Sequence, residues 1–98
     1  MRIVITGGAG FLGVRLARAI LLSDTLTDAR GATRRVREVV LLDVADPPEL
    51  GDPRVRRFTG DLADPTVIER ALTSDTDSIF HLAAVVSGQA EAASAIGM

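Results

Sequence analysis

Four glycines in seven residues, Gly7, Gly8, Gly10 and Gly13, separate two apolar patterns of different period, and this constrains the chain most. The run before them, Ile3-Val4-Ile5, is short, unbroken and β-branched, as in a strand buried on both faces. After them Leu12, Leu16 and Ile20 recur at helical spacing, with Arg15 and Arg18 on the other side. That spacing predicts an amphipathic helix of about three turns. Gly7 can take the backbone through a tight turn, Gly10 lets an anion approach the main chain, and Gly13 allows close helix–strand packing. Free amides at the helix start then face the negative charge. The flanking strand and helix favour a phosphate loop over a plain glycine-rich turn.

Val39-Val40-Leu41-Leu42 forms a second buried strand, stopped by Asp43 and then by Pro47-Pro48. Ahead of it, Ser23 to Arg37 is polar and rich in breakers and reads as a surface loop. Arg54 to Thr59 is a weaker strand suited to a sheet edge, where its arginines discourage pairing with another chain. Asp64-Pro65 marks a helix start, because Asp accepts from free amides and Pro at the first position sacrifices no donor. Ile68, Ala71 and Leu72 give that helix its buried face. Ile79 to Val86 is a third apolar run, expected as a central strand with His81 packed in the core. The order strand, helix, strand, strand, helix, strand predicts an α/β architecture with a parallel sheet.

Asp43 stands at the end of its strand, where a ribose-binding carboxylate belongs in a dinucleotide site. It lies 30 residues after Gly13, against the usual ~20 between glycines and acid, and the polar loop accounts for the excess. A carboxylate there accepts from both ribose hydroxyls and repels a 2′-phosphate, which favours NAD over NADP. The competing reading makes Asp43 a turn former. Arg34, Arg35 and Arg37 precede the strand and read as a solvated loop rather than a phosphate site.

Composition narrows the chemistry. The size, 98 residues, allows one small domain. All 11 basic residues are arginine, and Lys, Tyr, Cys and Trp are missing. Schiff-base lysines, tyrosine acids, thiolate nucleophiles and thiolate metal sites are therefore excluded. No disulfide can form, which is compatible with a reducing cytoplasm. A single histidine rules out multi-histidine metal sites and leaves Ser87 without triad partners. Interspersed charges with a net of −2 give no footprint for nucleic acid. No apolar run approaches the ~18–20 residues of a membrane span, and none at the start has the length of a secretory signal.

Thr6-Gly7-x-x-Gly10-x-x-Gly13, Asp43, Gly60-Asp61-Leu62 and His81-Leu82-Ala83-Ala84 together resemble the N-terminal half of extended short-chain dehydrogenases/reductases. That superfamily includes the NAD-dependent nucleotide-sugar epimerases and dehydratases. The string from His81 to Glu91, and the insertion before Asp43, are similar to its D-erythronate dehydrogenase branch. The resemblance implies the N-terminal part of a Rossmann fold, strand order 3-2-1-4 with flanking helices, and NAD as cofactor. Gly7, Gly10, Phe11, Leu12 and Gly13 would form the pyrophosphate loop, and Asp43 would hold the adenosine ribose. Asp61 would meet the adenine amino group, unless it serves only the turn after Gly60, with Leu62 beside the ring. Leu82, Ala83 and Ala84 would line the nicotinamide end, while Ser87 and Gln89 would approach the substrate.

In this superfamily a tyrosine transfers the proton, helped by a lysine four residues later. Neither residue type occurs here. The expectation is a truncated NAD-binding domain over residues 1–98, with no catalytic residue of its own and the catalytic half and substrate domain absent. The apolar edge from Ile79 to Val86 would favour self-association. The implied function is NAD binding for hydride transfer on a small sugar acid such as D-erythronate, in a cytoplasmic enzyme that is homo-oligomeric when full length. The alternatives are a nucleotide-sugar epimerase/dehydratase fragment and a non-catalytic dinucleotide-sensing module.

Overall fold

The computed structural model describes residues 1–82. Its elements are β1 (Arg2–Thr6), α1 (Phe11–Ser23), β2 (Thr25–Thr27), β3 (Thr33–Arg35), β4 (Glu38–Asp43), β5 (Val55–Thr59), α2 (Pro65–Ala71) and β6 (Thr76–His81). A four-stranded sheet runs β5-β4-β1-β6, and every pair in it is parallel. Counted among these four strands alone, the order is third, second, first, fourth, as the family resemblance implies.

Alternation along β1 and β4 divides the core between two faces. Ile3, Ile5, Val39 and Leu41 join Ala17 and Ile20 of α1 on one face. Val4, Val40 and Leu42 meet Ala71 of α2 on the other. Strands covered on both sides need apolar residues at successive positions, which is why their sequences show no polar alternation. At the start of α2, the Asp64 carboxylate accepts the Thr66 amide with Pro65 in the first turn, as predicted.

Three elements depart from the sequence reading. The buried face of α1 is Gly13, Ala17 and Ile20, while Leu12 is 48% exposed. The helix lies close to the strands at Gly13 and Ala17, while Ile20 is buried and Leu16 packs against the core as the spacing predicts. Residues 23–37 are not a loop throughout, because β2 and β3 pair antiparallel, with Thr25 opposite Arg35 and Thr27 opposite Thr33. The turn between them is organised by Asp28, whose carboxylate accepts from the Arg30 and Ala32 amides. Only Leu26 of this hairpin packs on the core, so no apolar alternation betrays it. The last strand begins at Thr76 rather than Ile79 and alternates between half-buried and exposed positions. Ile79 is 53% exposed, and 83–86 of the expected run lie outside the described residues.

The N-terminal ends of the strands are joined by ion pairs. Arg2, only 4% exposed, places Nε 2.6 Å from Glu38 Oε1 and donates through Nη1 to Ala71 O and Thr76 Oγ1, each at 2.7 Å. The other Glu38 oxygen is 3.0 Å from Arg56 Nε. Arg34, Arg35 and Arg37 are exposed, as expected of a solvated segment, and form surface pairs with Asp77, Asp24 and Asp75 at 2.8, 3.3 and 2.9 Å. Arg54 closes the C-terminus of α1, donating to Leu21 O at 3.0 Å and Asp24 Oδ1 at 2.7 Å.

Candidate dinucleotide site

The C-terminal ends of β1, β4 and β5 carry the glycine loop, Asp43 and the Gly60–Leu62 turn to the same end of the sheet. Open parallel sheets place ligands there. Gly7 turns the chain with φ +78°, and the Gly7 and Gly8 amides both donate to Leu42 O, at 2.9 and 3.1 Å. A Cβ at Gly13 would lie 2.3 Å from Gly7 O, and one at Gly8 would lie 2.8 Å from Leu41 Cβ. These two glycines are therefore packing requirements. Gly10 differs: a Cβ there would meet only Gly7 O, at 3.4 Å, so its bareness leaves open space.

That space adjoins the start of α1. The cap residue is Gly10, with no side-chain cap and no acid in the first turn, and the first helical bond runs from the Val14 amide to Gly10 O. The Phe11, Leu12 and Gly13 amides precede any helical acceptor. A cradle that a Cβ would fill, lined by such amides, fits a diphosphate. Phe11 and Leu12 are exposed beside it.

Asp43 Oδ2 accepts the Ala9 amide at 2.9 Å, and Oδ1 accepts the Val44 amide at 2.7 Å. The carboxylate thus ties β4 to the glycine loop, a role its position in the sequence did not suggest. Asp61 is exposed and accepts the Ala63 amide at 2.9 Å, so it organises its own turn. Leu62 is half-buried against the α2-side core. Gly60, unremarked as a packing residue in the sequence, donates to Asp43 O at 2.8 Å, and a Cβ there would fall 2.6 Å from Val67 Cγ2.

His81 is not a packed core residue. It is exposed, on the same open face of β6 as Asp77 and Ile79, and Nδ1 lies 2.7 Å from the Oγ1 of the buried Thr6. The Leu82 amide donates to Thr6 O at 3.1 Å, bringing Leu82 to the same end as the glycine loop. Ala83, Ala84, Ser87 and Gln89 lie outside the described residues. Arg34, Arg35 and Arg37 sit at the opposite end of the sheet. Among the described residues no group of three His, Cys, Asp or Glu could hold a metal, and no helix is long and apolar enough to cross a membrane.

Residues 3–97 match the NAD dependent epimerase/dehydratase family. The chain belongs to that family. It is 53% identical over 98 residues to a D-erythronate dehydrogenase from Cupriavidus necator, covering 100% of this chain and 30% of that protein. A D-erythronate dehydrogenase from Haemophilus influenzae is 42% identical over 92 residues, which are 93% of this chain and 27% of its relative. The crystal structure of a nucleoside-diphosphate-sugar epimerase from Agrobacterium tumefaciens superposes with a TM-score of 0.71 at 34% identity, covering 99% of this chain and 28% of the other. The chain thus spans about 30% of the length of the first relative and slightly less of the other two. The superposition agrees with the α/β class of the fold, and the family match takes in the glycine loop, Asp43 and the Gly60–Leu62 turn within residues 3–97.

Proposed function

We propose that this chain holds NAD for a dehydrogenase acting on a small sugar acid of the D-erythronate kind. The observation that carries the reading is the open cradle at Gly10, bounded by uncapped helix amides and by Asp43. The residues that would hold the cofactor are Gly7, Gly10, Phe11, Leu12 and Gly13 at the diphosphate and Asp43 at the adenosine ribose. Asp61 and Leu62 would border the adenine, and Leu82, Ala83 and Ala84 the nicotinamide end. Asp43 keeps lone pairs beyond those given to Ala9 and Val44, so it can still accept from ribose hydroxyls. When bound, NAD supplies hydride transfer. The chain has neither Tyr nor Lys, so we assign it cofactor holding and no proton-transfer residue. Ser87 and Gln89 remain the proposed approach to substrate.

The sugar-acid assignment is supported by the 53% identity to a D-erythronate dehydrogenase. A second reading, NAD-dependent nucleotide-sugar epimerisation or dehydration, is supported by the likeness to the Agrobacterium tumefaciens epimerase. Thermal-shift titration of the chain tests the cofactor, with NAD expected to raise Tm more than NADP. Equal or greater stabilisation by NADP would overturn it. Repeating the titration with NAD plus D-erythronate, or NAD plus a nucleoside-diphosphate sugar, separates the two substrate classes.

A further inference from the structure

The end of the sheet that bears the glycine loop is acidic, with Asp43 ending β4 and Asp46, Asp61 and Asp64 on the loops after β4 and β5. A diphosphate brings further negative charge to that end, and helix amides alone supply only partial positive charge. Arginines at the base of the sheet are already committed to carboxylates, as Arg2 is to Glu38 and Arg54 to Asp52. Arg15 differs in both place and partners. Its guanidinium carbon sits over the Phe11 ring, 5.3 Å from the centroid, and no hydrogen bond or ion pair engages it among the described residues. Phe11 is the first residue of α1 and is 72% exposed, so this cation stands beside the uncapped amides. The position follows from helix geometry, since side chains lean toward the N-terminus and Arg15 lies one turn inside. An aromatic face attracts a guanidinium without neutralising it or occupying its N–H donors with an acceptor.

We infer that Arg15 is a cofactor-binding residue that supplies the positive charge for the dinucleotide diphosphate, held ready over the Phe11 ring. The inference rests on the dinucleotide reading above. The stack retains the positive charge near the cradle, and binding draws its donors onto phosphate oxygens, which a charge of either side-chain type, arginine or lysine, can meet.

The test is titration of the full chain with NADH, ADP-ribose and adenosine at low and high ionic strength, for the parent, Arg15→Gln, Arg15→Lys and Arg18→Gln. Arg18 is an exposed arginine on the same helix, further from its start. Arg15→Gln is expected to weaken NADH and ADP-ribose by about three- to tenfold and to flatten their salt dependence. Adenosine, which has no phosphate, and the Tm of the free chain should not change. Arg15→Lys should recover most of the loss, and Arg18→Gln should match the parent. Unchanged affinity and salt dependence in Arg15→Gln, with the parent binding normally, overturn the inference alone. A lysine variant as weak as the glutamine one also overturns it, because charge would not be the cause. A parent chain that binds neither NADH nor ADP-ribose removes the dinucleotide reading, and this inference with it.

Discussion

The Ala9 amide donates to the Asp43 carboxylate at 2.9 Å, fastening the glycine loop to the end of β4. One acidic side chain therefore orders the loop and stands at the proposed ribose contact. Asp43→Ala should abolish the rise in Tm produced by NAD and speed hydrogen exchange at the Ala9 amide. Asp43→Asn keeps an acceptor oxygen, so it should preserve much of that amide's protection while weakening NAD binding by about tenfold. Unaltered exchange at Ala9 in Asp43→Ala would show that the bond does not order the loop.

Gly10 and Gly13 should respond differently to the same added methyl. In Gly13→Ala the methyl meets the Gly7 carbonyl oxygen at 2.3 Å and Gly8 Cα at 3.0 Å, both backbone atoms. The expected loss is about 1–3 kcal/mol, larger than the roughly 1 kcal/mol that alanine gains over glycine in a helix. Gly10→Ala has ordinary contact at 3.4 Å and should fold with nearly the parent Tm. Its methyl nevertheless enters the cradle, and NAD stabilisation should disappear. Calorimetry of both variants with and without NAD decides this.

Arg2 offers a stability test remote from the cradle. Arg2→Met leaves a Glu38 oxygen, the Ala71 carbonyl and the Thr76 hydroxyl without their donor. Urea unfolding should show a loss of about 2–4 kcal/mol. Combining it with Glu38→Leu should return part of that, since the carboxylate, left with only the exposed Arg56, is then removed too. A double variant weaker than the sum of the two single ones would contradict the pairing.

Much of this architecture was legible because its causes are local. Asp64 and Pro65 announce a helix start within two residues, and Ile3 to Ile5 show a strand covered on both faces. The partners of Arg2 were invisible for the opposite reason, since Glu38, Ala71 and Thr76 come from distant parts of the chain. Of the α1 face read from spacing, Ile20 and Leu16 do turn to the core and Leu12 does not, while Gly13 and Ala17 share the contact unseen because they carry almost no hydropathy. His81 lies in an apolar run, yet one face of β6 is open along its length, at Asp77, Ile79 and His81, so that run does not mean burial. At the site, the glycine spacing and the end of β4 were readable, whereas the Asp43–Ala9 bond depended on where the loop came to rest.

Acid should weaken the fold through its depressed carboxyls. Hydrogen bonds from the Arg54 side chain, and then from its amide, hold Asp52 down to about 2. Asp75 is lowered chiefly by the Thr73 hydroxyl and then by Arg37, and Asp77 by the Arg2 amide and then by Arg34. Because these folded-state values lie below the unfolded ones, their stabilisation is complete above about pH 4–5 and fades as pH falls toward about 2. Melting curves should show a Tm that declines across this window. Asp52→Asn should make the decline shallower, and an identical acid profile would argue against its Arg54 bond.

The hairpin of β2 and β3 lies between α1 and β4 in the chain, yet its ion pairs reach the base of the sheet. The proximity of Asp43 to the glycine loop is set elsewhere, by Ile5 pairing with Leu41 and Thr6 with Leu42. Residues can accordingly be inserted or deleted in the hairpin without altering the distance across the cradle. A motif search that measures from glycine to acid along the chain is gauging the length of an appendage. Aligning β1 against β4 locates the acid whatever the hairpin's length, and relatives overlooked by a fixed spacing should become detectable on that basis.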